Sequence, residues 1–447
     1  MDRLLVRTLL GRVKGSPLNI TADYRGSPIY YTALLSPFTQ QISNLKLKSA
    51  ASDQVQDISV AISGPLPLLH TLGIDATGYF NGPRSLVAPT LPLFENAANL
   101  RKLVLRIDKF PSLRYFTFPN LTILDFSTWI TAYPVSELLD FLEASPALQW
   151  IRMLFEAEKF LEDVPPGRII VLPYVKSFFL NIVNYSPGCE IATHISCPFA
   201  TRVEFEHWLG CAGDHVPEAI YPPPTSWDAI VHQYTKGTVE RVVLGMTMDK
   251  DFNIDCSITF RSSDRATLKL CYAHHTAAEE EEMEEILEER LPGIFSQAFQ
   301  TIRDHPLLVN VRHLHIRGGN LVAGNIEPVT KAVGRLLGSM GPLENLTLDK
   351  CDLRPYLDAF LDTPLFPEAI QPASFPPVKE LTIINPVQSF HDDEKYAAAI
   401  VKFARSQHVR EVSFERVELR MAVPTLMINE LVTLVNTVEW YDETVSD

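Results

Sequence analysis

The sequence predicts an α/β fold: a right-handed, leucine-rich-repeat-like solenoid of about 13 irregular strand–helix repeats, interrupted by a hairpin-plus-helix insertion. Three observations predict it. One short apolar motif keeps returning, its copies are spaced near-regularly, and the segments between them carry helical patterning.

The motif is apolar, two residues, apolar, one residue, apolar. It reads Leu100, Leu103, Leu105; then Leu121, Leu124, Phe126; then Leu148, Ile151, Met153; then Val175, Phe178, Leu180; then Val239, Val242, Leu244; then Val311, Leu314, Ile316. The cleanest copies are Leu343, Leu346, Leu348; Val378, Leu381, Ile383; and Val409, Val412, Phe414. Weaker ones centre on Leu45, Leu72, Val203 and Val438. Successive centres lie 21 to 39 residues apart except for one gap of 72, and without that gap they average about 29. The last two apolar positions alternate with polar ones, which is the pattern of a short strand with one buried face.

The intervening segments read as helices. Leu138, Leu139 and Leu142 share a face after Pro134, with Ser136 as the expected N-cap and Pro146 as the stop. His391 to Gln407 places acids in its first turn and Tyr396, Ala399, Ile400 and Phe403 at helical spacing. Glu327 to Leu337 and Pro424 to Val435 behave similarly. Prolines precede several strands, as at Pro119, Pro173, Pro198 and Pro377, where they block helix continuation. A doubly wound α/β fold has the same alternation, but such folds rarely supply thirteen short strands with one shared motif.

The long gap between Val242 and Leu314 holds the insertion, about 245–305. Residues 255–272 read as a β-hairpin, although Leu268 and Leu270 also fit a degenerate repeat strand. Thr276 to Arg303 reads as a long helix opening on Glu279, Glu280, Glu281, Glu282, Glu284 and Glu285, acids that suit a solvated first turn. Gly210 to Thr238 reads as a loop of polyproline character around Pro222, Pro223 and Pro224. The expected organisation is an N-terminal helix/strand cap over 1–40 and the solenoid over 41–447.

Composition narrows the function classes. The chain has 447 residues, 46% apolar and 21% charged, enough to bury a large core. Its net charge of −15 argues against a nucleic-acid or anionic-membrane binder, both of which need clustered positive charge. Six scattered cysteines suit reduced thiols, and no stretch has the roughly 18 uncharged apolar residues of a spanning helix, so a cytoplasmic or nuclear location is expected.

No Walker A, dinucleotide fingerprint, His-Glu-x-x-His, nucleophile elbow or Cys-x-x-Cys occurs, so no cofactor or catalytic residue is expected. Cys189, His194, Cys197, His207, Cys211 and His215 resemble a zinc set in residue type but lack a tight first pair, and read as unlinked core and loop residues. His274 and His275 form a further polar cluster. An enzyme with an unrecognised site in the irregular 205–310 region is the alternative; a deep pocket lined by His207, Asp214, His215 or His274 would favour it.

The repeat puts His313, His315 and Arg317 on the solvent side of one strand, and Asn345, Thr347 and Asp349 on the next. Glu380 and Thr382 follow, then Glu411, Ser413 and Glu415. Those from Asn345 to Glu415 form a mostly acidic strip suited to a basic segment of a protein partner, and His313, His315 and Arg317 form a separate candidate ligand contact, since solvent-side positions vary without disturbing the fold.

The opening Leu4-Leu5 to Leu18-Asn19-Ile20 stretch, with Gly15-Ser16-Pro17, the Phe118-Pro119-Asn120-Leu121 segment and the Leu138 to Leu148 junction together resemble the F-box and leucine-rich-repeat-like proteins of mushroom-forming fungi. The resemblance implies substrate recognition for a ubiquitin ligase, with an F-box docking a Skp1-type adaptor. Here Gly15-Ser16-Pro17 arrives with no earlier Leu-Pro pair, so the expected F-box is either upstream of this chain or lost.

Overall fold

In a computed structural model of the chain, the residues described are 15–23, 35–48, 64–76, 97–107, 113, 118–161, 164–165, 167–183, 189–210, 233–234, 238–248, 254–263, 266–275, 306–318, 336–337, 340–341, 343–350, 378–384, 393–409, 414–421, 423 and 425–441. The chain divides into two compact units, Met1–His207 and Trp208–Asp447. Each is α/β, built on a mostly parallel sheet with few helices.

The first unit contains β1 (Leu18–Asp23), β2 (Ile42–Lys48), β3 (Thr71–Ala76), β4 (Lys102–Ile107), β5 (Ile123–Pro134), α1 (Val135–Glu143), β6 (Trp150–Leu161), β7 (Ile170–Val171), β8 (Ser177–Val183), α2 (Cys189–Thr193), β9 (Ile195–Ser196) and β10 (Arg202–Gly210). The order is β1-β2-β3-β4-β5-β6-β8-β10, with β7 and β9 paired separately. Pairing is parallel from β1 through β8.

The register is the one the motif implies. Ile20, Leu45, Leu72, Leu103, Leu124, Ile151 and Phe178 stand opposite one another in successive strands. Leu45, Leu72, Leu103, Ile151 and Phe178 are fully enclosed. Burying each such side chain stabilises by about 1.5–3 kcal/mol, which outweighs the other choices a short strand has. Alternate residues then face away from the core, because side chains change sides at every step along a strand.

A repeated turn starts each strand. Leu69, Leu100, Leu121, Leu148, Val175 and Ala200 each donate a backbone N–H to the carbonyl three residues earlier, at 3.0 to 3.4 Å. Pro67, Pro119, Pro146, Pro173 and Pro198 hold the second position of five of these turns, where a fixed φ suits the bend. One carbonyl then serves the next repeat twice: His70 O accepts from Arg101 and Lys102, Arg101 O from Thr122 and Ile123, Thr122 O from Gln149 and Trp150. The Asn99 and Asn120 amides add a rung each, donating to Pro67 O at 2.8 Å and Ala98 O at 2.9 Å.

The second unit contains β11 (Val239–Met248), β12 (Ile254–Ser262), β13 (Thr267–His275), β14 (His313–Arg317), β15 (Leu343–Asp349), β16 (Val378–Ile384), α3 (Asp393–Val409), β17 (Arg416–Arg420), α4 (Thr425–Leu434) and β18 (Val438–Trp440), in the order β13-β12-β11-β14-β15-β16-β17-β18. The expected hairpin is β12–β13; β11, β12 and β13 run antiparallel, so Leu268 and Leu270 belong to it and are buried. From β11 through β14 to β18 pairing is parallel, with Val242, Leu314, Leu346, Leu381, Val417 and Val438 in register. The Arg405 guanidinium bonds the Glu430 carboxylate and ties α3 to α4.

Two expectations are corrected. The strand expected over Val409 to Phe414 is instead β17: α3 runs to Val409, and Leu381 pairs with Val417 rather than Val412. Two overlapping frames share Phe414. In the folded one Phe414, Val417 and Leu419 are buried, with Phe414 edge-on to Phe403 at 5.3 Å. The N-cap of α1 is Pro134 rather than Ser136, because β5 stays extended up to Pro134 and the helix begins at once. The expected helix over 276–303, the 327–337 helix apart from Leu336 and Leu337, and most of the 210–238 loop lie outside the described residues.

Candidate functional site

The turns and the buried rows fix which side chains the strands present outward. In the second unit His313, His315 and Arg317 stand beside Asn345, Thr347 and Asp349, and Glu380 and Thr382 follow in register. The sequence therefore placed these residues together. Glu411 and Ser413 lie outside the described residues, and Glu415 sits before β17, within 3.7 Å of the Lys379 ammonium. The outward residues of β17 are Arg416, Glu418 and Arg420, so the expected acidic strip is a mixed-charge one.

Its charges are largely satisfied within the sheet. The Glu418 carboxylate, nearly buried, accepts from Arg416 at 3.2 Å and Arg420 at 2.9 Å. Arg416 also donates to Glu439 at 2.6 Å; that bond holds the Glu439 carboxyl below the ordinary range and the Arg416 guanidinium above its own. Asn345 donates to Glu380 at 3.0 Å. Asp349 lies 3.5 Å from Arg317 and 3.7 Å from His315. Burial pushes the His315 imidazole down, Arg241 and Arg317 add to the shift, and Asp349 opposes it.

The first unit presents a different surface. Register aligns Lys102, Ile123, Trp150 and Ser177 in one row; Val104, Asp125, Arg152 and Phe179 in the next; and Arg106, Ser127, Leu154 and Asn181 in a third. All twelve point away from the core row, and the apolar ones are only half-buried. Asp125 lies between Arg106 at 3.9 Å and Arg152 at 3.8 Å, distances that leave both guanidiniums loosely held. Arg152 also lies over the Phe179 ring at 5.5 Å. Lys46 and Lys48 continue the outward face on β2, and Gly73 on β3 leaves a low point that the Lys46 stem crosses.

Sequence reasoning passed over this cluster. Its signal was present: Ile123, Trp150, Leu154 and Phe179 occupy positions of the motif where the repeat tolerates polar residues, so burial in the core does not explain them.

The zinc-like set stays unlinked where it is described. His194 Nδ1 lies 2.7 Å from the Arg168 carbonyl, and Cys197 is a buried free thiol that burial pushes up to about 12, far from the thiolate a metal takes. Cys211 and His215, and the side chains of Cys189, His207, His274 and His275, lie outside the described residues. Among the described residues no helix is long and apolar enough to cross a membrane. No protein-family model matches the chain, and no curated protein matches it either.

Proposed function

We propose that the chain is a non-enzymatic, protein-binding solenoid of leucine-rich-repeat type, and that its ligand seats on the outward sheet face of the first unit. One observation carries this reading: a contiguous set of half-buried apolar side chains, Ile123, Trp150, Leu154 and Phe179, set among loosely held arginines where a purely structural sheet would present solvated polar residues. Trp and Arg in a partly desolvated setting are the residue types that dominate protein-interface energies. The in-register repeat supports the solenoid, since each strand must pack on its neighbours to bury its own core row.

On this reading the protein works in the cytoplasm or nucleus, and its resemblance to F-box proteins makes it the substrate-recognition part of a ubiquitin-ligase adaptor. An F-box upstream would supply the contact to a Skp1-type adaptor.

Selection of displayed random peptides on the full chain tests the reading. Selected clones should lose binding to a Trp150→Ala/Leu154→Ser/Phe179→Ala variant that keeps its thermal midpoint. Clones that bind the variant as well as wild type would remove the face from the account.

A further inference from the structure

Charge is divided unequally between the two units. Residues 1–207 carry 18 basic and 18 acidic side chains, leaving 21 basic and 36 acidic in 208–447, so the whole net charge of −15 belongs to the second unit. A second copy of the chain therefore meets a neutral surface on the first unit and a repelling one on the second.

The first unit also leaves apolar surface in water just before β8 and β10. Ile170 of β7 and Ile195 of β9 are buried, and alternation along the chain turns Ile169 and Val171 the other way, 57% and 60% exposed. The turns that follow, Leu172-Pro173-Tyr174-Val175 and Cys197-Pro198-Phe199-Ala200, lie side by side, tied by the Leu172 N–H donating to the Ser196 carbonyl at 2.8 Å. Their third residues, Tyr174 and Phe199, are 63% and 71% exposed. Equivalent positions in earlier repeats carry Asn99 and Asn120, whose amides bond the neighbouring turn. Tyr174 and Phe199 supply no such rung, so the needs of the fold do not explain them.

A fully exposed side chain of this size offers roughly 200 Å², so the four offer on the order of 500 Å² per copy. Two copies cover about 1,000 Å² of it between them, and a polar border brings the total into the range of stable interfaces, about 1,200–2,000 Å².

That border is polarised. On one side α1 packs against β7, and the Arg168 guanidinium bonds the Asp140 carboxylate at 2.6 Å and the Glu143 carboxylate at 2.9 Å. One cation against two mostly exposed carboxylates leaves this flank acidic. On the other side stand Arg202, whose charge is met by Glu204 at 3.0 Å, and Lys176, exposed and without an ion pair among the described residues. Lys176 makes that flank basic. A two-fold axis through the middle of the patch exchanges the flanks, so the basic edge of each copy falls on the acidic edge of the other.

We infer that the chain forms a two-fold symmetric dimer through this patch, in which Tyr174 and Phe199 of each copy cover Ile169 and Val171 of the other, and Lys176 meets the other copy's Asp140 and Glu143. An unrelated partner would have to reproduce both edges; a second copy supplies them by symmetry. The four apolar residues precede the strands, so the inference goes beyond the sheet-face reading and does not depend on it.

Sedimentation velocity of the full chain from about 1 to 100 μM tests the inference, and the mass should pass from one chain to two across that range. Tyr174→Asp with Phe199→Asp should stay monomeric throughout. Lys176→Glu should weaken association about five- to tenfold, because two exposed ion pairs are lost at once. Adding Glu143→Lys to the same chain should restore most of that loss, since each copy then carries both reversed partners. Leu426→Ser, at an 82% exposed apolar residue of the second unit, should change nothing. Thermal midpoints establish that the variants fold; should the double aspartate chain not fold, Phe199→Ser carries the same test.

A wild-type chain that stays monomeric at about 100 μM would overturn the inference and leave the patch to another partner. A dimer retained in the double aspartate chain, or lost equally in Leu426→Ser, would overturn it too. So would failure of Glu143→Lys to restore what Lys176→Glu removes.

Discussion

Replacing Leu381 by alanine should damage the second unit far more than replacing its chain neighbour Thr382. Leu381 is 1% exposed and stands in register between Leu346 and Val417. Truncation removes three carbons from a closed row, which at about 0.8 kcal/mol each is roughly 2.4 kcal/mol of transfer energy. The cavity left behind brings the total to about 2–5 kcal/mol. Thr382 faces outward beside Thr347 and Glu418, so its loss should cost about 0.5 kcal/mol or less. For a unit of this size 1 kcal/mol moves the thermal midpoint by about 2–4 °C. Calorimetry should therefore show a fall of roughly 5–20 °C for Leu381→Ala and about 2 °C or less for Thr382→Ala. A one-residue slip in pairing would exchange the two side chains between faces. Equal falls, or the larger fall for Thr382→Ala, would refute the register.

Other consequences follow from single sites. A Cβ at Gly341 would lie 2.0 Å from the Val309 carbonyl oxygen, a backbone atom that has nowhere to go, so Gly341→Ala should cost about 1–3 kcal/mol by calorimetry. Gly73→Ala meets the flexible Lys46 stem at 3.4 Å and backbone atoms no nearer than 3.9 Å, and should leave the midpoint nearly unchanged. His315 is held below its ordinary range, so as pH falls through about 6.5 the unfolded chain takes up a proton before the folded one, and stability falls. Midpoints measured from about pH 7.5 down to 5.5 should decline less steeply in His315→Gln than in wild type. Cys197, buried and raised to about 12, should stay unmodified by iodoacetamide near pH 8 in the folded chain and react once the chain is unfolded in denaturant, as read by peptide mass spectrometry.

The sheet register was legible because two constraints coincide in the motif. The alternation of the last two apolar positions sets the buried side, and the first apolar residue closes the turn that precedes the strand, as Leu100, Leu121 and Leu148 do. Where two frames satisfy both constraints, the motif alone does not choose. Val409, Val412 and Phe414 fit as well as Phe414, Val417 and Leu419, and the continuation of α3 to Val409 decides between them. That shift of five residues also changes the chemistry of the face, since it brings Arg416 and Arg420 to the acids at Glu418 and Glu439. The first-unit cluster was hidden for a different reason. In a chain that is 46% apolar, Ile123, Trp150 and Phe179 look like core residues until register shows which side of the strand they occupy.

The central claim is that ligand contacts fall on the outward sheet face of the first unit. Hydroxyl-radical footprinting, read residue by residue on the free chain and on the chain saturated with a selected peptide, tests it most directly. Trp150 and Phe179 should be protected on binding, whereas Tyr174 and Phe199, 63% and 71% exposed in the turns before β8 and β10, should react unchanged. Protection of Tyr174 and Phe199 with Trp150 and Phe179 unaltered would contradict the account.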